Sequence, residues 1–205
     1  MAGPERSLRP MPRPAFTPEF IPQTRWDHRG ESDVWTRAAL GALKSHGAPL
    51  ADIVPRDIGQ WCPGYPTASK PVRRAFWVGL LSALAKHEST WKPKAVGGGG
   101  RWYGLLQILP ATARGYGCKA RTGGALQSGP ANLACAIRIL SVTVPRDGVV
   151  HAQSPRWGGV AADWGPMRSA TKRQDMANWL RSQAYCQINS SPRPMPRPGR
   201  QIALK

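Results

Sequence analysis

From residue 75 to 85 the chain reads Ala-Phe-Trp-Val-Gly-Leu-Leu-Ser-Ala-Leu-Ala, an uncharged and almost wholly apolar stretch. It falls short of the roughly 20 apolar residues of a membrane span, so it reads as a buried helix. Pro71, a residue suited to a first helical turn, marks its start, and the pattern runs on to about Glu88. Phe76, Leu80, Leu84 and Glu88 recur at every fourth position and share one helix face, which Trp77, Leu81 and Ala85 widen. Upstream, Ser32 or Asp33 can cap a helix carrying Trp35, Ala38, Ala39, Ala42 and Leu43 at 3–4 spacing. His46-Gly47 and then Pro49 should end it. The spacing predicts a helical turn over 56–61 and helices over 110–114, 131–142 and 172–185. In the last two, Leu133, Ala134, Ile137 and Leu140, then Met176, Trp179 and Leu180, line one face. Strand-like alternation is scarce, and only 97–103 suggests a small hairpin or irregular segment. The fold class is mainly α.

The ends follow a different pattern. Residues 1–30 hold Pro4, Pro10, Pro12, Pro14, Pro18 and Pro22 among arginines, and Arg9-Pro-Met-Pro-Arg-Pro14 recurs letter for letter at 193–198. Prolines at alternate positions block helix and sheet ladders and favour extended segments. The organisation expected is a Pro/Arg-rich arm over 1–30, a helical domain over 31–189 and a Pro/Arg-rich tail over 190–205. With 205 residues, 41% of them hydrophobic, the chain can build one real core. Its net charge of +18 favours polyanionic partners such as an anionic wall or membrane surface, with the two arms as tethers. No basic-plus-aromatic recognition module accompanies that charge, which points away from specific nucleic-acid binding. A solvated basic surface is the plainer reading of the same balance.

Cys62, Cys118, Cys135 and Cys186 contain no close Cys-x-x-Cys pair, so a metal site is not expected. Two disulfides in an oxidising compartment fit better. Of three pairings, Cys118–Cys135, pinning a Gly-rich loop between helices, and Cys62–Cys186, tying the domain's ends, are preferred; four buried thiols are the alternative. His28, His46, His87 and His151 share no ligand spacing either, and no cofactor motif appears. Ser89 lacks a nucleophile elbow, and the glycines of 97–100 lack the Gly-Lys-Ser/Thr of a phosphate loop.

Glu88 closes the apolar helix, where an exposed last-turn glutamate without a role is the plainer reading and the residues that follow it argue for more. A carboxyl at the end of an apolar stripe and at the negative end of a helix resists ionisation. A protonated carboxyl near neutral pH is what glycosidic bond cleavage needs from a general acid.

The run His87-Glu88-Ser89, followed by Gly104-Leu105-Leu106-Gln107-Ile108-Leu109-Pro110-Ala111-Thr112-Ala113, resembles the catalytic core of soluble lytic transglycosylases, which have a goose-lysozyme-like fold. Leu106 and Leu109 stand where that family has methionines. Asn132-Leu133 resembles the opening of its Asn-Ile-x-x-Gly segment. Ala161-Ala162-Asp163-Trp164-Gly165-Pro166 resembles a divergent form of its late Ala-Tyr-Asn-Ala-Gly segment. Two departures stand out: 97–103 lacks the family's Ser-Gly-Ala loop, and the late tyrosine falls on Ala162, so Tyr103 is the candidate to supply a phenol.

The resemblance implies a lysozyme-like helical domain that cuts peptidoglycan between N-acetylmuramic acid and N-acetylglucosamine with 1,6-anhydro ring formation, Glu88 acting first as acid and then as base. It places Ser89, Trp102, Tyr103, Gly104, Leu106, Gln107, Asp163 and Trp164 at the substrate, Gly104 letting backbone approach the glycan. A muramidase using Asp163 as a second carboxylate and a non-catalytic wall-binding protein are the alternatives. The expected setting is periplasmic or secreted, although the first six residues show no signal core, and the protein is expected to be a monomer without cofactor.

Overall fold

The helix read from the apolar run forms the centre of the molecule. In the computed structural model, which describes residues 20–187, it is one of seven α-helices, accompanied by two short hairpins. Helices α1 (Ser32–Lys44), α2 (Ala48–Asp52) and α3 (Lys70–Ser89) come first. Hairpin β1 (Val96–Gly97) and β2 (Trp102–Tyr103) leads to α4 (Pro110–Gly115), α5 (Gly123–Leu126) and α6 (Gly129–Asp147). Hairpin β3 (His151–Ala152) and β4 (Gly158–Gly159) precedes the last helix, α7 (Ala170–Arg181).

From Ala75 to Ala85 every side of α3 is buried, as expected of a helix apolar all round. Helices α1, α2 and α7 pack against it, while α6 covers α1 and α2 from the other side. Polar tips inside this core are satisfied: Trp77 Nε1 and the Tyr65 hydroxyl both donate to the Leu50 carbonyl, at 2.8 and 2.7 Å.

Several elements depart from the sequence expectations. Glu31 rather than Ser32 or Asp33 is the N-cap of α1, with no side-chain capping bond. Pro49, read as a stop, instead sits in the first turn of α2, where its missing N–H costs nothing. Helix α6 continues five residues beyond 142 to Asp147 with Pro145 inside it, and it ends at Gly148 in the left-handed region (φ 67°). The β3–β4 hairpin had no alternating signal because β4 is two glycines.

The body also starts earlier than residue 31. Trp26 is fully buried, its indole edge-on to Trp35 at 5.8 Å and its Nε1 donating to Thr36 Oγ1 at 2.9 Å. The Arg25 backbone N–H reaches Ser82 of α3 at 3.0 Å. Prolines masked this segment's role, which rests on one aromatic anchor rather than on periodicity. The repeated hexapeptides at 9–14 and 193–198 lie outside the described residues.

Both preferred disulfides are present, Cys62–Cys186 and Cys118–Cys135, and no described cysteine is free. The first closes the two ends of the body across 124 residues; the second joins the segment after α4 to α6. No described helix is long and apolar enough to cross a membrane.

Candidate active site

Helix α3 stops abruptly just beyond Glu88. Thr90 and Trp91 both take positive φ (51° and 55°), a conformation unfavourable for side chains with a Cβ and met where surrounding contacts impose it. Here the Trp91 indole is held by its Nε1 bond to the Ser82 carbonyl (2.9 Å) and by His28 edge-on at 4.6 Å. A second brace comes from Asp175 on α7. Its carboxylate accepts from Arg25 (2.7 and 3.2 Å), Lys86 (3.2 and 3.3 Å) and His87 Nε2 (2.8 Å). The Arg25 guanidinium in the first place holds the Asp175 carboxyl far below the usual carboxylate range. The last turn of α3 is thus clamped to both the N-terminal segment and α7.

Glu88 projects from that turn into a groove of about 410 Å³. Burial pushes its carboxyl up to about 7, against a smaller opposing pull from the Lys172 ammonium at the start of α7. Trp102 and Gln107 line the same groove, with Asp163, Trp164 and Arg168 from later in the chain. A smaller recess of about 80 Å³ shares Trp102, Gln107, Asp163 and Trp164 and continues toward Ile108, Leu109 and Thr112. The β1–β2 hairpin forms one lip: Trp102 is 38% exposed, one ring face covered by the Arg101 guanidinium at 4.7 Å. Gly98 packs against the same ring, where a Cβ would stand 1.9 Å from Cε3 and Cζ3.

Gln107 also has positive φ (46°), and both of its amide hydrogens are spent. Nε2 donates to the carbonyls of Ala95 (3.2 Å) and Gly104 (2.9 Å), pinning the hairpin. Its Oε1, against Gly97, is the atom left to accept from a ligand. Asp163 accepts from the Tyr116 hydroxyl at 3.3 Å, and partial burial of its carboxyl raises it above the usual range, with Tyr116, Arg146 and Arg168 opposing.

Of the residues placed at the substrate by the sequence, Glu88, Trp102, Gln107, Asp163 and Trp164 converge on this groove; four others serve the scaffold. The Ser89 hydroxyl closes the helix end, donating to Ala85 O (3.4 Å) and accepting from the Lys92 N–H (3.2 Å). The Tyr103 hydroxyl donates to Gly100 O at 2.6 Å and its ring rests on Gly123, so it supplies no phenol to Glu88. Leu106 is fully buried. Gly104, far from lying open to a glycan, faces the interior with φ 80°. A Cβ there would stand 2.1 Å from the Leu126 carbonyl and 2.4 Å from Asn132 Nδ2. Gly104→Ala is accordingly expected to cost about 2 kcal/mol or more in an equilibrium melt, through strain and overpacking together. Trp164 is itself 3% exposed, its Nε1 bonded to Leu106 O at 3.0 Å, so it offers an edge to the groove rather than a free ring face.

Asn132 explains why the resemblance spans separate segments. Fully buried in α6, it donates through Nδ2 to Tyr103 O and Leu126 O (2.9 Å each) and accepts from the Leu106 N–H (2.9 Å). One side chain so fixes the loop that carries Gln107. Sequence reading missed Arg168 and Tyr116 as neighbours of the groove. Arg168 closes the late segment, and its charge at that edge was the available signal; Tyr116 meets Asp163 only through the fold.

A mainly helical, lysozyme-like domain with one desolvated glutamic acid in an open groove belongs with glycan-cleaving proteins. Residues 68–146 match the family model described as Transglycosylase SLT domain. Solved structures of Bd0314 DslA share the fold. A glutamate-to-glutamine mutant aligns with a TM-score of 0.75, and a second such mutant and wild-type form 2 with 0.74. Each is 28% identical in sequence over 83% of this chain and 100% of that chain. No curated protein matches the sequence. The domain supports a peptidoglycan-cleaving function of the lytic-transglycosylase type.

Proposed function

We propose that the protein is a peptidoglycan lytic transglycosylase in which Glu88 is the catalytic acid and base. The reading rests on one observation: a carboxyl held up to about 7 by burial, in a groove that also carries Gln107 and an aromatic lip. Protonated Glu88 donates to the oxygen joining N-acetylmuramic acid to N-acetylglucosamine, and the bond to the anomeric carbon breaks. The N-acetyl group stabilises the oxocarbenium-like centre. Ionised Glu88 then takes the proton from the sugar's own 6-hydroxyl, whose oxygen closes the 1,6-anhydro ring, and the residue returns to its starting state. Lys172 aids the ionised half of this cycle by its charge. Gln107 Oε1 is available to accept from the sugar, and Trp102 lines the groove beside it.

Asp163 supports a second reading, a muramidase, because it lines the same groove. An inverting hydrolase uses a base carboxylate about 6.5–9.5 Å from the acid to activate water. Mass analysis of digested peptidoglycan separates the two, anhydro-muropeptides supporting the transglycosylase and reducing ends the hydrolase. The substrate and the two disulfides both fit a periplasmic or secreted protein. The Pro/Arg-rich arms expected over 1–30 and 190–205 are proposed as tethers to an anionic surface. Wall binding that survives deletion of both would remove that role.

A further inference from the structure

We propose that Arg168 reads a carboxylate of the peptide stem beside the cleaved bond, so that the protein selects glycan whose stems carry free carboxylates over glycan whose stem carboxylates are amidated. The inference rests on the transglycosylase reading for the identity of the polymer and adds which part of it the groove recognises.

In a stem-bearing strand the lactyl carboxyl of each N-acetylmuramic acid is tied up in the amide to its peptide, so the sugars carry no charge. The strand's carboxylates belong to the peptides attached to the lactyl group of N-acetylmuramic acid, so a cation built into the groove has a specific chemical match in the substrate. Arg168 is the arginine that lines the groove with Glu88 and Gln107. Its Nε donates to Ala161 O at 3.0 Å and its Nη2 to Ala162 O at 2.8 Å, and the guanidinium lies over the Trp157 ring at 5.8 Å. Two of three nitrogens are therefore fixed to backbone, which holds the planar group in place before a ligand arrives. Nη1 makes no hydrogen bond among the described residues and remains for a carboxylate oxygen. A pre-oriented guanidinium loses less freedom on binding than a free one.

Asp163 shares the groove and is the group that could cancel this charge. One of its oxygens already takes the Tyr116 hydroxyl, and Arg146 attracts it as well as Arg168. A stem carboxylate must therefore approach on the Arg168 side of Asp163. Lys172 answers to Glu88 instead and belongs to the chemistry of the bond.

The rival role for Arg168 is structural, the holding of two carbonyls in the turn after β4, and the test separates the two. Glu88→Gln protein is titrated with soluble glycan strands whose stems keep their free carboxylates and with the same strands after those carboxylates have been converted to amides. Strands with free stem carboxylates should bind about tenfold tighter or better, the scale of one charge-assisted hydrogen-bonded contact. That ratio should fall toward one when Arg168→Gln is added, and should recover in part with Arg168→Lys. It should also shrink as salt rises.

A structural role predicts that both affinities drop together with the ratio kept, and that result overturns the proposal. So does a wild-type ratio of one, or a preference that salt leaves intact; the salt series decides the matter if Arg168→Gln folds poorly. Cleavage of both strands by the wild-type protein reports separately on the transglycosylase reading. If neither strand is cut while the ratio depends on Arg168, the catalytic reading fails and the recognition stands.

Discussion

Glu88→Gln should reduce the release of glycan fragments by roughly 10²–10⁴-fold, the usual worth of a well-placed proton transfer, while leaving binding measurable. The wild-type rate should be flat below neutrality and fall tenfold per unit above about pH 7, where the carboxyl loses its proton. The same substitution carries a signature in stability. In the unfolded chain this carboxyl ionises near its ordinary 4.5, whereas the folded protein holds the proton up to about 7. Between those values the folded state binds more protons, so the group's effect on stability turns unfavourable as pH rises through that interval. The full cost, complete above pH 7, is about 3 kcal/mol as an upper bound. Glu88→Gln removes it. The variant should therefore melt higher than wild type at pH 8 and alike at pH 4, and a variant with lower stability at pH 8 counts against a desolvated acid.

Asn132→Leu should be the most damaging substitution away from the acid. It leaves the carbonyls of Tyr103 and Leu126 and the N–H of Leu106 without partners in the interior. At about 1–3 kcal/mol for each buried group left unpaired, the loss is expected at roughly 3–5 kcal/mol once the loop relaxes. Denaturant unfolding reads it directly. Because Gln107 sits on the same loop, activity under native conditions should fall too. A variant within 1 kcal/mol of wild type, on the scale of ordinary surface changes, would falsify the clamp.

The sequence made α3 and its terminal carboxyl legible because an uncharged helical run has one place to go, the interior. Both disulfide pairings followed from the order of the helices. Proline was a less reliable signal: Pro49 opens a helix rather than ending one, Pro145 sits harmlessly in a last turn, and the Pro-rich start concealed Trp26. At the site, a motif mixes residues that touch a ligand with residues that shape the loop, and linear order does not separate them. Gly104, Leu106 and Ser89 each fill a space or bond backbone within the fold. The neighbours of Asp163 come from elsewhere in the chain, so no local pattern announced Tyr116.

The Asp175 hub has a consequence for where such a protein can operate. As acidity increases toward the point where that carboxylate takes a proton, Arg25, Lys86 and His87 lose their common anchor together, and mutual repulsion replaces it. Its stabilising contribution is present above the ordinary carboxylate range and disappears as pH falls through the depressed folded value. Alkalinity silences Glu88 from the opposite direction. Two carboxyls on neighbouring helices, displaced in opposite senses, thus bound a working band that closes near neutrality on the alkaline side and well into acid on the other.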